Sequence, residues 1–251
     1  MIRDFLAAVS FLTRLPAGRW FAFGPKDVAR SARWFPLVGG LVGAIGAAAL
    51  ALLTKLFPPF VCAVLVTGLV AFLTGAMHLD GLADTADGFG GGRTPDDVLR
   101  IMRDHAIGSY GGVALVLAIA LKVVSISALL DARRAVTAII LAPVLGRWSS
   151  VLLSSTQAYA RPATDTAGTA GAPTRLVGKV ELLIATVTVV IFALLLHPLA
   201  GFVSLGAVGI LSAAWAWICR QKIRGITGDT LGACIEASEC LVLLVFLGLR
   251  L

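Results

Sequence analysis

Three aspartates, Asp80, Asp84 and Asp87, are the residues of this chain best suited to chemistry, and they lie in the run HLDGLADTADGFGGG over residues 78–92. A helix turns by about 100° per residue, so the three carboxylates fall within roughly 60° of one another on one helical face. Like charges at this spacing repel each other, and the cost grows at a membrane boundary. Mg²⁺ takes carboxylate oxygens and bridges to substrate phosphates, so the run predicts a Mg²⁺ site that handles phosphate.

The alternative for any three such carboxylates is a solvated acidic end of a helix. The glycine-rich stretch from Gly88 to Gly92 weighs against it, because backbone without side chains can come close to a phosphate. Gly88 is therefore a candidate substrate contact. The next acids, in Thr94-Pro95-Asp96-Asp97, have a structural explanation as the cap and first turn of a short helix.

A second acidic group lies near the end of the chain, at Asp229, Glu236 and Glu239. If the segment is helical, all three side chains can project toward one side, at the start of a helix that otherwise dissolves in lipid. Ionisable groups at such a depth normally face the interior of the bundle and mark a site. These acids are candidate metal ligands together with the first three. The alternative is an acidic first turn in the headgroup region.

Several cations are placed to meet an anionic substrate. Arg103 and Arg161 can each hold a phosphate, and His105 is a candidate acid or base. Arg147 lies inside an apolar stretch, where pairing with a carboxylate or a phosphate is expected. Lys122 lies inside another apolar stretch and is expected to reach the membrane surface by snorkelling. Ordinary capping and the charge of a cytoplasmic loop are the alternatives for Arg103, His105 and Arg161.

The composition indicates that lipid is the solvent for much of the chain. Of 251 residues, 58% are hydrophobic and 14% are charged, and the mean hydropathy is +0.93. An ordinary soluble domain has about 25% charged residues. We therefore expect residues 1–251 to form a single integral membrane domain, and the net charge of +7 does not by itself imply nucleic acid as a partner.

A helix needs about 20 apolar residues to cross the hydrocarbon, which predicts an all-α, polytopic transmembrane bundle of about six to seven spans. The predicted spans are 36–57, 60–77, 110–130, 135–155, 180–197, 201–219 and 231–251. Proline at Pro58-Pro59 and at His197-Pro198 predicts tight turns between antiparallel helices. The first 20 residues are interpreted as an amphipathic helix lying on the membrane surface rather than a signal peptide.

Alternation of these spans places residues 1–35, 78–109, 156–179 and 220–230 on one side of the membrane. This side holds 15 of the 21 Lys and Arg residues, so the positive-inside rule predicts that it is cytoplasmic. The candidate active site would then face the cytoplasm. Arg133 and Arg134, on the other side, are the observation against this orientation.

Small residues and cysteines have structural interpretations. Gly39, Gly40, Gly43 and Gly46 lie in one predicted span, where small residues let helices approach closely. The four cysteines lie scattered in apolar surroundings without zinc-type spacing, so neither a disulfide framework nor a zinc site is expected.

The sequence resembles the cobalamin synthase family, the adenosylcobinamide-GDP ribazoletransferases. The matching segments occur in order over most of the chain, and the length and hydropathy agree. They are Asp80-Gly-Leu-Ala-Asp84-Thr-Ala-Asp87-Gly88, Ile101-Met-Arg103-Asp104, Ile107-Gly-Ser-Tyr-Gly111, Arg147-Trp148, Tyr159-Ala-Arg161-Pro162, and Gly225-Ile-Thr-Gly-Asp229 with Gly232, Glu236 and Glu239.

The resemblance implies a multi-pass enzyme of the bacterial inner membrane that requires Mg²⁺. In the implied reaction, α-ribazole or its 5′-phosphate attacks the cobinamide-bound phosphate of adenosylcobinamide-GDP and displaces GMP. Asp80, Asp84, Asp87 and Arg103 would then be catalytic, and Ser109 and Tyr110 would contact substrate. Association of copies with one another or with other corrinoid-pathway enzymes is left open.

Two other functions are alternatives to this one. The first motif is similar to that of the CDP-alcohol phosphotransferases, but Asp84 stands where the Ala-Arg pair of that family would continue. An ion-coupled transporter would need polar groups near the bilayer midplane and often repeated, broken helices. Here the acids gather toward one face and no inverted repeat is evident.

Overall fold

The computed structural model describes residues 1–18, 23–104, 106–131, 134–161, 174 and 176–249. Within these ranges the protein is built from α-helices with short 3₁₀ turns and contains no β-strand. The helices are α1 (Ile2–Leu12), α2 (Pro25–Ser31), α3 (Phe35–Leu53), α4 (Pro59–Leu73), α5 (Met77–Gly91), α6 (Pro95–Ile101), α7 (Ser109–Asp131), α8 (Ala135–Thr156), α9 (Lys179–Leu196), α10 (Pro198–Ile223) and α11 (Gly228–Gly248).

The predicted polytopic helical bundle is confirmed. In the described part of the chain, six helical segments are long and apolar enough to cross a membrane, and α4 with α5 makes a seventh if the bent pair counts as one span. The six segments are Pro25–Leu53, Ser109–Leu130, Ala135–Thr156, Lys179–Leu196, Pro198–Ile223 and Gly228–Gly248.

The second predicted span differs from the structure. The prediction of a single helix over residues 60–77 is wrong, because α4 ends at Leu73 and α5 follows at an angle of 90° to it. Gly75 and Ala76 both have positive φ, at 64° and 57°, which a right-handed helix cannot continue through. The bend places the aspartate-rich helix α5 across the bundle instead of along α4.

The proline turns lie where the sequence predicts them. Pro58 is extended and α4 begins at Pro59, while α10 begins at Pro198. The ring nitrogen Nδ1 of His197 accepts a hydrogen bond of 3.3 Å from the backbone N–H of Ala200 and so caps α10. Each proline ends one helix and permits the next to start in a new direction.

The short helix α6 has the predicted cap. The hydroxyl oxygen of Thr94 accepts a hydrogen bond of 3.2 Å from the backbone N–H of Asp97. The same hydroxyl donates to the Asp97 carboxylate across 2.9 Å, and this bond lowers the pKa of that carboxyl below its usual value. The Thr-Pro-Asp-Asp sequence therefore forms the cap and the first turn of α6, as predicted.

Helix α8 lies at the centre of the bundle, and the glycines of α3 pack against it as predicted. A Cβ atom on Gly39 would collide with the backbone of Pro143, and one on Gly43 would lie 2.6 Å from Cα of Ile140. Gly40 instead lies under the ring of Phe192 from α9. Close approach of α3 to α8 therefore depends on the absence of side chains.

The N-terminal segment folds as the predicted amphipathic helix α1, and its position at the membrane surface stays a prediction. Its apolar face is buried against the bundle, while Arg3 contacts Asp27 across 3.2 Å and Arg30 contacts Asp4 across 3.5 Å. The two ion pairs join α1 to α2. All four cysteines are buried and free, which agrees with the absence of a disulfide framework.

Candidate active site

A cavity of about 510 Å³ opens between the N-terminal helices, the start of α5, the end of α6, the segment after α8 and the start of α11. They belong to the four segments that alternation of the spans placed on one side of the membrane, since α5 and α6 both lie in residues 78–109. Their meeting around one cavity confirms that they lie together.

Three of the six predicted acids and two of the predicted cations line this cavity. Asp80 and Asp84 come from α5, Asp229 comes from the first turn of α11, and Arg103 and Arg161 come from the connecting segments. A fourth acid that the sequence reasoning did not single out, Asp104, follows Arg103 directly and lines the cavity with it. Among the described lining residues, carboxylates therefore outnumber guanidinium groups.

Helices α5 and α11 cross at two glycines, and this crossing brings their acids together. A Cβ atom on Gly81 would lie 2.7 Å from the carbonyl oxygen of Asp229, and one on Gly232 would lie 3.2 Å from Cα of His78. Only residues without side chains permit such a short separation between helix backbones. Asp80 and Asp229 thus flank the closest point of the crossing.

Arg161 is held over the start of α11 by backbone pairing. The N–H of Ala160 donates to the carbonyl of Ile226 across 2.8 Å, and the N–H of Ile226 donates to the carbonyl of Ala158 across 2.9 Å. This short parallel bridge places the guanidinium of Arg161 3.2 Å from Oδ2 of Asp229. One of the predicted substrate-binding cations therefore already pairs with a predicted metal ligand.

Asp87 is separated from the other two aspartates of α5. Its carboxylate accepts hydrogen bonds from the backbone N–H groups of Gly108, across 2.8 Å, and Gly111, across 2.9 Å. It shares the helical face of Asp80 but lies ~10 Å farther along the axis, at a rise of 1.5 Å per residue. There it meets the start of α7 and does not line the cavity.

The other predicted substrate contacts also lie outside the cavity lining. Gly88 packs against α6, where a Cβ atom would lie 2.5 Å from Cγ of Met102. The ring of Tyr110 covers Gly90, and Ser109 is exposed at the first turn of α7. Their roles in binding substrate, like those of the other predicted site residues, stay predictions. His105 lies outside the described residues.

A second polar cluster is buried beside the cavity. Nζ of Lys122 lies 2.6 Å from Oε2 of Glu236 and 2.5 Å from Oε2 of Glu239. Arg147 donates to the other carboxylate oxygen of Glu239, and its Nη2 lies 3.5 Å from Nδ1 of His78. Arg147 is 1% exposed and His78 is 3% exposed. We call these five residues the buried charge cluster.

The buried charge cluster changes the interpretation of two cations. Lys122 does not snorkel, so that prediction was wrong: its ammonium pairs with two carboxylates of α11 because it faces the bundle and not the lipid. The predicted pairing of Arg147 with a carboxylate is confirmed by Glu239. Sequence reasoning missed His78, whose only signal was its place at the head of the aspartate run.

The donor set of the cavity suits a hard divalent cation. No three or more His, Cys, Asp or Glu side chains in the described part of the chain lie close enough together to bind a metal ion by themselves. Mg²⁺ is usually held by one or two carboxylates together with water and substrate phosphates. Asp80, Asp84 and Asp229 are the predicted metal ligands that can supply such carboxylates to the cavity. Glu236 and Glu239 already face Lys122 and Arg147.

Comparison with known proteins gives a consistent result. The profile of the family described as CobS, cobalamin-5-phosphate synthase, matches residues 4–247. A protein of Syntrophobacter fumaroxidans named adenosylcobinamide-GDP ribazoletransferase is 38% identical over 246 residues, covering 97% of each chain. Proteins of the same name from Klebsiella pneumoniae strain 342 and Shewanella woodyi are 39% and 35% identical, covering 98% of this chain and 100% and 96% of theirs.

No solved structure gives a significant match. The relatives do not favour a CDP-alcohol phosphotransferase or a transporter, because the matched profile and the relatives' names are all those of one transferase. The matches extend over nearly the whole chain and include the helices that line the cavity. This chain therefore belongs to the cobalamin-5-phosphate synthase family.

Proposed function

We propose that this protein is an adenosylcobinamide-GDP ribazoletransferase, as its relatives are named. It transfers the adenosylcobinamide-phosphate group of adenosylcobinamide-GDP to α-ribazole, or to α-ribazole 5′-phosphate, and releases GMP. One observation supports this chemistry above all: the acids of two helices and the guanidinium groups of two connecting segments line a single cavity.

Mg²⁺ is part of the proposal because of the charge around the cavity. Among the described residues, four carboxylates and two guanidinium groups line it, so Mg²⁺ would help this lining to accept a diphosphate. One or two of Asp80, Asp84 and Asp229 would hold the ion, together with water and substrate phosphate oxygens. When bound, Mg²⁺ would neutralise negative charge that develops on the phosphoryl oxygens.

The side chains of the cavity have distinct tasks in this reaction. Arg103 and Arg161 are placed to neutralise the diphosphate, which calls for positioning and charge compensation more than covalent chemistry. Asp84 is the candidate for orienting or deprotonating the attacking ribose hydroxyl, one that is free in both α-ribazole and its 5′-phosphate. The oxygen of this hydroxyl forms a bond to the cobinamide-bound phosphorus and its proton passes to Asp84 or to solvent. The bond from this phosphorus to the bridging oxygen breaks, and GMP leaves with that oxygen.

We further propose that the cavity faces the cytoplasm of a bacterial cell, in its inner membrane. The support is the distribution of charge, since the segments that meet at the cavity carry 15 of the 21 Lys and Arg residues. Association with further copies or with other corrinoid-pathway enzymes stays a prediction.

The direct test is turnover by protein purified in detergent. Incubation with adenosylcobinamide-GDP, α-ribazole and Mg²⁺ should release GMP and form a corrin product that contains the ribazole. Removal of divalent cations with EDTA should stop the reaction, and added Mg²⁺ should restore it. Wild-type protein that binds both substrates but releases no GMP would contradict the proposed function.

The matched control compares an acid that lines the cavity with an acid of the buried charge cluster. Asp84→Asn should abolish most GMP release, whereas Glu236→Gln should retain the Mg²⁺ concentration dependence of the wild type. A change in the half-saturating Mg²⁺ concentration in Glu236→Gln alone would move the metal site from α5 to the buried charge cluster.

A further inference from the structure

The N-terminal part of the chain contributes only apolar side chains to the cavity, as far as its residues are described. These side chains are Phe11, Leu12, Val28, Ala32 and Phe35. The transfer of a phosphoryl group does not require them, and they lie in the same cavity as the acids of α5 and α11. The cavity therefore provides both a charged lining and an apolar one.

The apolar lining has an aromatic centre. The rings of Phe11 and Phe35 are nearly parallel, with centroids 5.8 Å apart and an interplanar angle of 13°. Leu12 of α1 and Ala32 of the turn before α3 are buried and also line the cavity, so both rings lie among packed apolar side chains. Such a pair offers an extended apolar surface on which a further flat ring can pack.

The proposed reaction brings three large ring systems to the cavity: guanine, the corrin and the benzimidazole base of α-ribazole. Guanine presents hydrogen-bond donors and acceptors along its edge, and a purely apolar lining would leave them unpaired at a cost. The corrin carries amide side chains around its rim, for which the same argument holds. The benzimidazole is a carbon-rich flat bicycle that presents methyl groups at one end.

We infer, on the basis of the proposed function, that Phe11 and Phe35 form the binding subsite for the benzimidazole base of α-ribazole. The base packs on the two rings and the ribose extends toward the carboxylates of α5. The N-terminal helices thereby determine which lower-ligand base the enzyme accepts. They favour apolar benzimidazoles over purine bases, whose polar edges gain no partner from this lining.

The test separates the two substrates by their kinetic constants and uses a control on the same helix. Phe5 also lies on α1 but packs edge-on against Trp34 and does not line the cavity. Phe11→Ala should raise KM for α-ribazole by at least about tenfold, since the variant loses the packing of the base on the ring; tenfold corresponds to about 1.4 kcal/mol. KM for adenosylcobinamide-GDP should stay within about twofold of the wild type, and Phe5→Ala should leave both KM values near wild type.

A second variant guards against loss of folding. Phe11→Leu keeps most of the apolar volume and should raise KM for α-ribazole in the same direction, by about threefold, because only the ring stacking is lost. It should also reduce the preference of the enzyme for the benzimidazole riboside over the adenine riboside. An unchanged preference, or a rise in KM for adenosylcobinamide-GDP instead, would overturn the subsite.

Equilibrium binding of radiolabelled α-ribazole makes this result independent of turnover. Wild-type protein should bind it, and Phe11→Ala should bind it at least about tenfold more weakly. If wild-type protein binds α-ribazole through Phe11 but releases no GMP, the proposed reaction fails while the subsite stands. If GMP is released normally and binding does not depend on Phe11, the subsite fails and the reaction stands.

Discussion

Lys122 of α7 donates to Glu236 of α11 across 2.6 Å in the interior of the helical bundle. Only 11% of the Lys122 side chain and 6% of the Glu236 side chain are exposed, and a second carboxylate, that of Glu239, lies equally close to the same ammonium group. Arg147 compensates the charge of Glu239 from α8. Two positive and two negative charges thus balance each other across three helices, which is the arrangement that low-dielectric surroundings require.

Removing the charge of Lys122 should therefore destabilise the protein. Lys122→Met leaves two buried carboxylates with one cation, and breaking such a pair costs about 3–5 kcal/mol. Thermal unfolding in detergent, followed by the loss of the monodisperse peak in size-exclusion chromatography, should show a clearly lower midpoint. The double variant with Glu236→Gln restores charge balance and should recover much of the midpoint. Equal midpoints for wild type and Lys122→Met would show that the pair contributes nothing.

The two aspartates Asp84 and Asp87 should respond differently to the same substitution. Asp84→Asn should lower kcat for GMP release by about 100-fold or more, because it lines the cavity and is the candidate base. Asp87→Asn weakens two charge-assisted hydrogen bonds to the start of α7 and should cost about 1–3 kcal/mol of stability instead. Parallel measurements of kcat and of the unfolding midpoint decide the matter. Equal loss of kcat in both variants would show that Asp87 takes part in catalysis as Asp84 does.

The crossing of α5 and α11 should tolerate no side chain at Gly81. Gly81→Ala places a Cβ atom against the backbone carbonyl of Asp229, so the helices must separate and the acids move apart. Overpacking of this kind costs about 1–3 kcal/mol, and kcat/KM for GMP release should fall by about tenfold. Gly68→Ala is the matched control, since a Cβ atom there meets nothing within 4 Å. Wild-type kinetics in Gly81→Ala would show that the crossing does not position the acids.

The pair of Arg161 and Asp229 should behave as one unit in substrate binding. Arg161→Met removes a cation from the cavity and leaves the half-buried carboxylate of Asp229 without this partner. KM for adenosylcobinamide-GDP should rise by about tenfold. Addition of Asp229→Asn to this variant should cost less than Asp229→Asn costs in the wild type, because contacting residues are not additive. Fully additive losses in a double-mutant cycle would argue that the two side chains act separately.

Much of the fold followed from patterns along the chain. The apolar segments, the proline turns and the cap at Thr94 are local signals, and the structure has a helix boundary at each of them. The bend after Leu73 is the exception. Gly75 and Ala76 give no clear turn signature in the sequence, and the positive φ of an alanine is held only by the surrounding fold.

The candidate site was foreseeable in part. Helical periodicity correctly grouped Asp80 with Asp84, and the alternation of spans correctly gathered the four segments around them. Periodicity also grouped Asp87 with them, but it describes direction around the axis and says nothing about position along it. The neighbour of Asp87 is the start of α7, which no pattern within α5 could reveal.

The sequence by itself determined that this is a helical membrane protein of the cobalamin-5-phosphate synthase family and which side chains carry its charge. Composition, span length and motif order are properties of the chain that do not depend on how helices pack. Only the tertiary structure decided which charges meet. Lys122 and Glu236 are 114 residues apart, and they pair because α7 and α11 pack together. The physical reason is that burial makes an unpaired charge costly, so each acid takes the partner that the bundle brings to it, whatever its distance along the chain.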